Sequence, residues 1–223
     1  MISGRNNEKH TTAPRHHIDE DLLLSYAAGT LNESASLLVA AHLTLCPRCR
    51  GAVRAAEAVG GVVLEAAEPE AVAPLAAARL DAPAPEAEEI KPESLSVLDV
   101  AVPRVVARYV PEALRWRFVQ PGVKFADLFT DATGARIGFM RAQPGAAITT
   151  HGHSGEELTL VLDGGYRDGA ATFLRGDVQV CDESTVHTPV TDGDGSCLLL
   201  VTIRGPIKPT RWLARLLRPL SGF

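Results

Sequence analysis

The chain has 223 residues, 46% of them hydrophobic and 22% charged, with a formal net charge of −5. This is a globular composition with room for one large or two small domains, and it excludes a chain too polar to build a core. The charge is uneven: residues 66–100 carry eight acids against two bases, a local −6, so the flanks are near neutral and offer no basic footprint for nucleic acid.

Residues 1–15 are polar and aperiodic, without the apolar core of a signal peptide. No uninterrupted run of about 18 apolar residues occurs anywhere, so no membrane span is expected. A cytoplasmic chain is the expectation, and there paired Cys bind metal more often than they cross-link.

From Asp19 to about Glu65 the pattern is helical. Asp19 can cap a first helix whose apolar face is Leu22, Leu23, Tyr26 and Ala27, and Gly29 suits its stop. Asn32 is a candidate cap for a second helix, with Leu37, Leu38, Ala41, His42 and Leu45 at three-and-four spacing. Pro47 cannot continue that helix but suits the first position of a third, so the chain turns at Cys46.

An Ala/Pro/Glu-rich stretch follows, self-repelling and poor in β-branched residues, and it reads as an extended linker. Beyond Val97 short strand-like runs alternate with turns: Trp116–Val119, Ile137–Met140, Leu158–Leu162, Asp177–Val180 and Leu198–Val201. Such a pattern predicts an all-β sandwich or jelly-roll barrel. From Arg204 onward there are bases and no acid, which reads as a solvated amphipathic terminal helix.

The sharpest local signal is His42-Leu-Thr-Leu-Cys46-Pro-Arg-Cys49. On a helix His42 and Cys46 project from one face a turn apart, and the Pro47 turn folds Cys49 back toward them. One imidazole and two thiolates suit tetrahedral zinc and leave one coordinate to fill. His16 and His17 precede the first helix; His17, next to the helix start, is the first choice and His16 its competitor.

This His-x3-Cys-x2-Cys pattern with an upstream His, in a short helical domain, resembles the zinc anti-sigma signature. The run Arg15-His16-His17, then Tyr26-Ala-Ala-Gly-Thr-Leu31, then His42, Cys46 and Cys49, looks like the ChrR group in particular. By position the resemblance implies four zinc ligands, His17, His42, Cys46 and Cys49. It further implies helices that wrap an extracytoplasmic-function (ECF) sigma factor and occlude its polymerase-binding surface.

A second constellation lies in the β region: Gly145, His151-Gly-His153, Glu157 and Gly164, with His187 downstream. Two His at alternate positions of an extended segment point the same way. Imidazoles with a carboxylate suit zinc, iron, manganese, copper or nickel. The spacing resembles the first cupin motif, G-x5-H-x-H-x3-E-x6-G, at every position. In the second motif Gly176 precedes His187 by eleven positions, although Asp182 and Ser184 stand where a Pro and a Gly are usual. The resemblance implies His151, His153, Glu157 and His187 as ligands of a divalent transition metal, zinc first, with iron or manganese as alternatives. Glu156, next door, should point away. Cys181 and Cys197 fall on predicted strands and read as buried, inert thiols.

The expected architecture is therefore multidomain: a small all-α zinc-binding domain over 15–66, a linker over 67–96, and an all-β cupin barrel with a basic tail over 97–223. The resemblance implies an anti-sigma factor rather than an enzyme. Its cupin metal would sense singlet oxygen or an organic peroxide, with a protease possible at release. The alternative is a dioxygenase-like cupin metalloenzyme carrying an N-terminal zinc module.

Overall fold

The computed structural model describes residues 13–68, 96–97, 100–193 and 195–209. Three helices come first: α1 (Glu20–Ala27), α2 (Glu33–Leu45) and α3 (Pro47–Glu65). Asp19 occupies the cap position of α1 but its side chain makes no capping bond; Glu20 and Asp21, in the first turn, are the acids that favour the helix N-terminus. Gly29 stops the helix at φ +68°, a left-handed conformation that side chains resist. Asn32 caps α2 as expected, accepting from Ala35 N at 2.8 Å. Pro47 opens α3, and the Sγ of Cys46 accepts from Cys49 N at 3.5 Å. The turn at Cys46 thus serves as helix cap and brings the two thiols together.

Among the described residues fourteen strands follow, interrupted once by a helix: β1 (Ser96–Val97), β2 (Val100–Ala101), α4 (Arg104–Ala107), β3 (Arg117–Gln120), β4 (Val123–Thr130), β5 (Arg136–Ala142) and β6 (His151–Gly152). The chain continues through β7 (Glu157–Asp163), β8 (Gly165–Asp168), β9 (Ala171–Leu174), β10 (Val178–Cys181), β11 (Val186–His187), β12 (Val190–Thr191), β13 (Cys197–Ile203) and β14 (Lys208–Pro209). A six-stranded sheet, ordered β10-β7-β13-β5-β4-β3, faces two three-stranded sheets, β12-β8-β9 and β11-β6-β14. All pairings are antiparallel.

The helix α4 is one that periodicity could not find, because four residues give no repeat to read. The linker expected over 67–96 lies outside the described residues apart from 67, 68 and 96. Most of the terminal helix expected beyond Arg204 lies outside them too, but its start is extended instead: Lys208 and Pro209 pair with β6.

The six-stranded sheet is apolar on both faces. With side chains alternating, Val161, Leu199, Val201 and Met140 point into the barrel beside Phe125 and Tyr166. Leu158, Leu160, Leu162, Leu198, Leu200, Ile137 and Phe139 point outward and join one cluster with Leu37, Leu38, Val39 and Ala41 of α2. The helical domain is therefore docked on the barrel, not merely tethered to it. Leu38 and Val39 lose all solvent exposure there, each worth about 2 kcal/mol of burial.

Turns of the barrel grip α2 at both ends. At its start Ser34 N donates to Asp131 Oδ2 at 3.1 Å and Ser34 Oγ to the carbonyl of Ala135. At its end the ring of His42 meets the carbonyl of Gly176 at 2.9 Å.

Candidate metal centres

The first cluster forms where the end of α2, the start of α3 and the segment before α1 meet. His17 Nδ1 lies 3.4 Å from Cys46 Sγ and 3.6 Å from Cys49 Sγ. One ligand atom from each of His17, His42, Cys46 and Cys49 falls within 4.8 Å of the others. Four ligands around one zinc would stand about 3.3–3.8 Å apart, given Zn–N and Zn–S bonds of about 2.0 and 2.3 Å. The observed nitrogen–sulfur separations fall in that range.

Because a carbonyl can only accept, His42 Nδ1–H donates to Gly176 O and its Nε2 carries a lone pair. That Nε2 is buried without a partner, which an ion among these four residues would satisfy. Burial lowers the pKa of His42 to about 4, keeping the ring in the neutral form that a metal requires. Burial and the adjacent Cys46 push the Cys49 thiol up to about 11. A cation beside the Cys49 sulfur would reverse that preference for the neutral form. His16, the competitor, points elsewhere: its Nε2 lies 3.1 Å from Thr172 O and its ring 4.4 Å from that of Phe173.

The second cluster lies inside the barrel. His151 on β6 pairs in register with His187 on β11, and His153 follows two residues on. Glu157 opens β7, sharing the inward parity of Val161. The Nε2 atoms converge: His187 to His151 at 3.0 Å and to His153 at 3.2 Å. His153 Nδ1 lies 3.6 Å from Glu157 Oε2. Both His151 and His187 donate from Nδ1, to Thr149 O and to Asp168 Oδ2, each at 2.8 Å. Their Nε2 lone pairs therefore face one another at contact distance, an arrangement that a shared cation satisfies. Burial, then the charge of His187, lowers His151 to about 4; burial, then His151, does the same to His153. Burial raises Glu157 to about 7. Glu156 is not part of the cluster.

Asp168 escaped sequence reasoning. It holds His187 and is itself held by Gln179 Nε2 at 2.6 Å, while Tyr166 donates to Gln179 Oε1 at 2.8 Å. Burial would raise the Asp168 carboxyl, but the donors from Gln179 and His187 outweigh it and lower it. The available signal was Tyr166-x-Asp168, two polar groups on one face of a strand. Cys181 lies 3.9 Å from His187 Nδ1, and burial pushes its thiol up to about 12, as it does that of Cys197, which favours the protonated form of both. These two clusters are the only groups of metal-ligating side chains among the described residues.

Comparison with known proteins identifies the family. Residues 106–207 match the model of the ChrR cupin-like domain. The anti-sigma-E factor ChrR of Cereibacter sphaeroides is 38% identical over 209 residues, covering 92% of this chain and 97% of that one. The chain belongs to the ChrR family of anti-sigma factors. A crystal structure of Rhodobacter sphaeroides SigE in complex with the anti-sigma ChrR is likewise similar, at 34% identity and a TM-score of 0.71, over 86% of this chain and 100% of that one. The ChrR relative is named as a regulator, and the metalloenzyme alternative gives way to that class. As in the ChrR resemblance read from sequence, a helical unit precedes a β-barrel. Among the described residues no helix is long and apolar enough to cross a membrane.

Proposed function

We propose that this chain sequesters an ECF-type sigma factor through its helical domain and releases it when the barrel centre is perturbed. The observation that carries the reading is its likeness, over 86% of its length, to a ChrR chain solved in complex with a sigma factor. The far half of α3 supports it: Val59, Val62, Val63 and Leu64 are each 66–76% exposed, an apolar stretch that a partner would cover.

In this reading His17, His42, Cys46 and Cys49 hold zinc and fix the angle between α2 and α3. The zinc supplies cross-linking, not reactivity, since four protein ligands close its coordination. His151, His153, Glu157 and His187 hold a divalent transition metal, zinc first, and Asp168 keeps the His187 ring turned toward it. A bound metal there would offer Lewis-acid or redox chemistry to an incoming oxidant, singlet oxygen or an organic peroxide. An oxidant that alters these four side chains shifts the domain equilibrium only if it favours the non-inhibitory state. The Ala/Pro/Glu-rich stretch between the domains is the place for proteolysis during release. A cytoplasmic location follows from a polymerase-associated partner.

The test is co-expression with a cognate ECF sigma factor and purification by a tag on this chain. The wild-type chain is expected to retain the sigma factor, and Cys46→Ser to lose it. Retention by Cys46→Ser at wild-type yield would sink zinc-dependent sequestration.

A further inference from the structure

The zinc reading of the helical domain leaves open what holds its two imidazoles in place, and both supports come from the barrel. Gly176 and Asp177 form the turn between β9 and β10. The carbonyl of Gly176 accepts the Nδ1–H of His42 at 2.9 Å, across 134 residues of sequence. Asp177, 2% exposed, uses Oδ1 to accept the backbone N–H groups of Arg15 at 2.6 Å and His16 at 3.0 Å. Its other oxygen accepts from Leu174 N at 2.9 Å, which ties the carboxylate to its own turn. Val178 N then donates to His16 O at 3.2 Å, so the chain just before His17 is laid along the barrel. Gly176 sits at φ +90°, and a Cβ there would come within 2.8 Å of Pro14 Cγ and 3.6 Å of Leu45 Cβ. The glycine of the second cupin motif is therefore also a point of close approach between the two domains.

Cys46 and Cys49 are placed by their own helices, but His17 precedes α1 and has no helix to fix it. We infer that Asp177 is a positioning residue for the N-terminal metal centre, orienting the His17 segment while the adjacent Gly176 carbonyl orients His42. This rests on the zinc assignment proposed above and adds a regulatory consequence to it. Outer groups that orient a metal-bound His change metal affinity by about 10–100-fold. Whatever lifts this turn from the helices loosens the zinc, and zinc binding favours the docked state by the same factor, because linkage is reciprocal.

The test uses the full chain loaded with cobalt(II) and challenged with EDTA. Thiolate-to-cobalt absorption reports the N-terminal centre alone, because Cys46 and Cys49 are the only thiols in either cluster. Asp177→Ala is expected to speed the decay of that band about tenfold. Asp177→Asn, which keeps an acceptor oxygen, should fall between. Asp131→Ala removes a carboxylate contact between the same domains at the far end of α2 and should leave the decay unchanged. An unchanged decay in Asp177→Ala, or equal acceleration in Asp131→Ala, overturns the positioning role. If Asp177→Ala does not fold, Asp177→Asn decides: a wild-type decay rate overturns the inference. No cobalt–thiolate band in the wild-type chain would instead remove the zinc reading, and the inference with it.

Discussion

The two metal clusters differ in where their support comes from. In the barrel, the imidazoles of His151 and His187 are oriented by Thr149, just before β6, and by Asp168 on β8, groups of the same domain. In the helical domain the thiols are local, three residues apart around one turn, but the outer partners of the His segment are lent by the barrel. Their cores differ in the same sense. The inner barrel cluster is made of strand residues alone, whereas the helices share their cluster with the outer face of the six-stranded sheet. A domain of about fifty residues rarely stabilises itself by burial alone. Here the neighbouring barrel supplies part of the remainder, a metal held by the four-residue cluster would supply more, and the stability of the helical domain becomes something a second domain can adjust.

Removing the metal tests that contrast most severely. Structural zinc contributes about 10–16 kcal/mol to small folds that depend on it. Chelation of the full chain is expected to abolish amide-exchange protection in α1–α3 while β7 and β13 keep theirs. Equal loss in both domains would erase the distinction. Truncating the shared cluster comes next. Leu38 is fully buried between helix and sheet, so Leu38→Ala should cost about 2–5 kcal/mol in denaturant unfolding. Exchange should quicken in α2 and leave the inner barrel strands as they were. Protection lost throughout the barrel would mean that the two cores are one cooperative unit.

How much of this the sequence carried follows from how local each feature is. His42, Cys46 and Cys49 span eight residues, and helix geometry with the turn at Cys46 brings them together. The His151, His153 and Glu157 spacing is nearly as local, and strand parity aims them. His187 was reachable only through motif resemblance. The docking of α2 was written in Leu158–Leu162 and Leu198–Val201, since near-continuous apolar runs mark strands buried on both faces. Those runs read as strands, but nothing nearby says what covers the second face, and a linker read as extended suggested independent domains. The carbonyl of Gly176 could not be read at all. A backbone acceptor has no side-chain signature, and its partner lies 134 positions away.

The two smaller predictions sharpen the contrast within each domain. Asp168→Ala should weaken metal binding at the barrel centre about 10–100-fold in a competition titration, because His187 loses its orienting carboxylate. The thiolate–cobalt band of the other centre should not change; if it does, the centres are not separately supported. The smallest effect concerns Asp131, which joins the barrel to the start of α2. Burial opposes its charge, but hydrogen bonds from Thr133 and Ser34 outweigh burial and bring the carboxyl from 3.8 down to about 2. A carboxylate held below its unfolded value stabilises the fold above about pH 4, and that contribution is lost as pH falls through about 2. Asp131→Asn keeps an acceptor and loses the charge, so it should be less stable than wild type by about 1 kcal/mol at neutral pH. Denaturant unfolding of both chains from pH 6 to pH 2 should show that difference shrinking below about pH 4. A gap that stays constant over the whole range would mean that Asp131 grips α2 by shape and not by charge. The docking would then rest on the apolar face of α2 and on the Gly176–Asp177 turn.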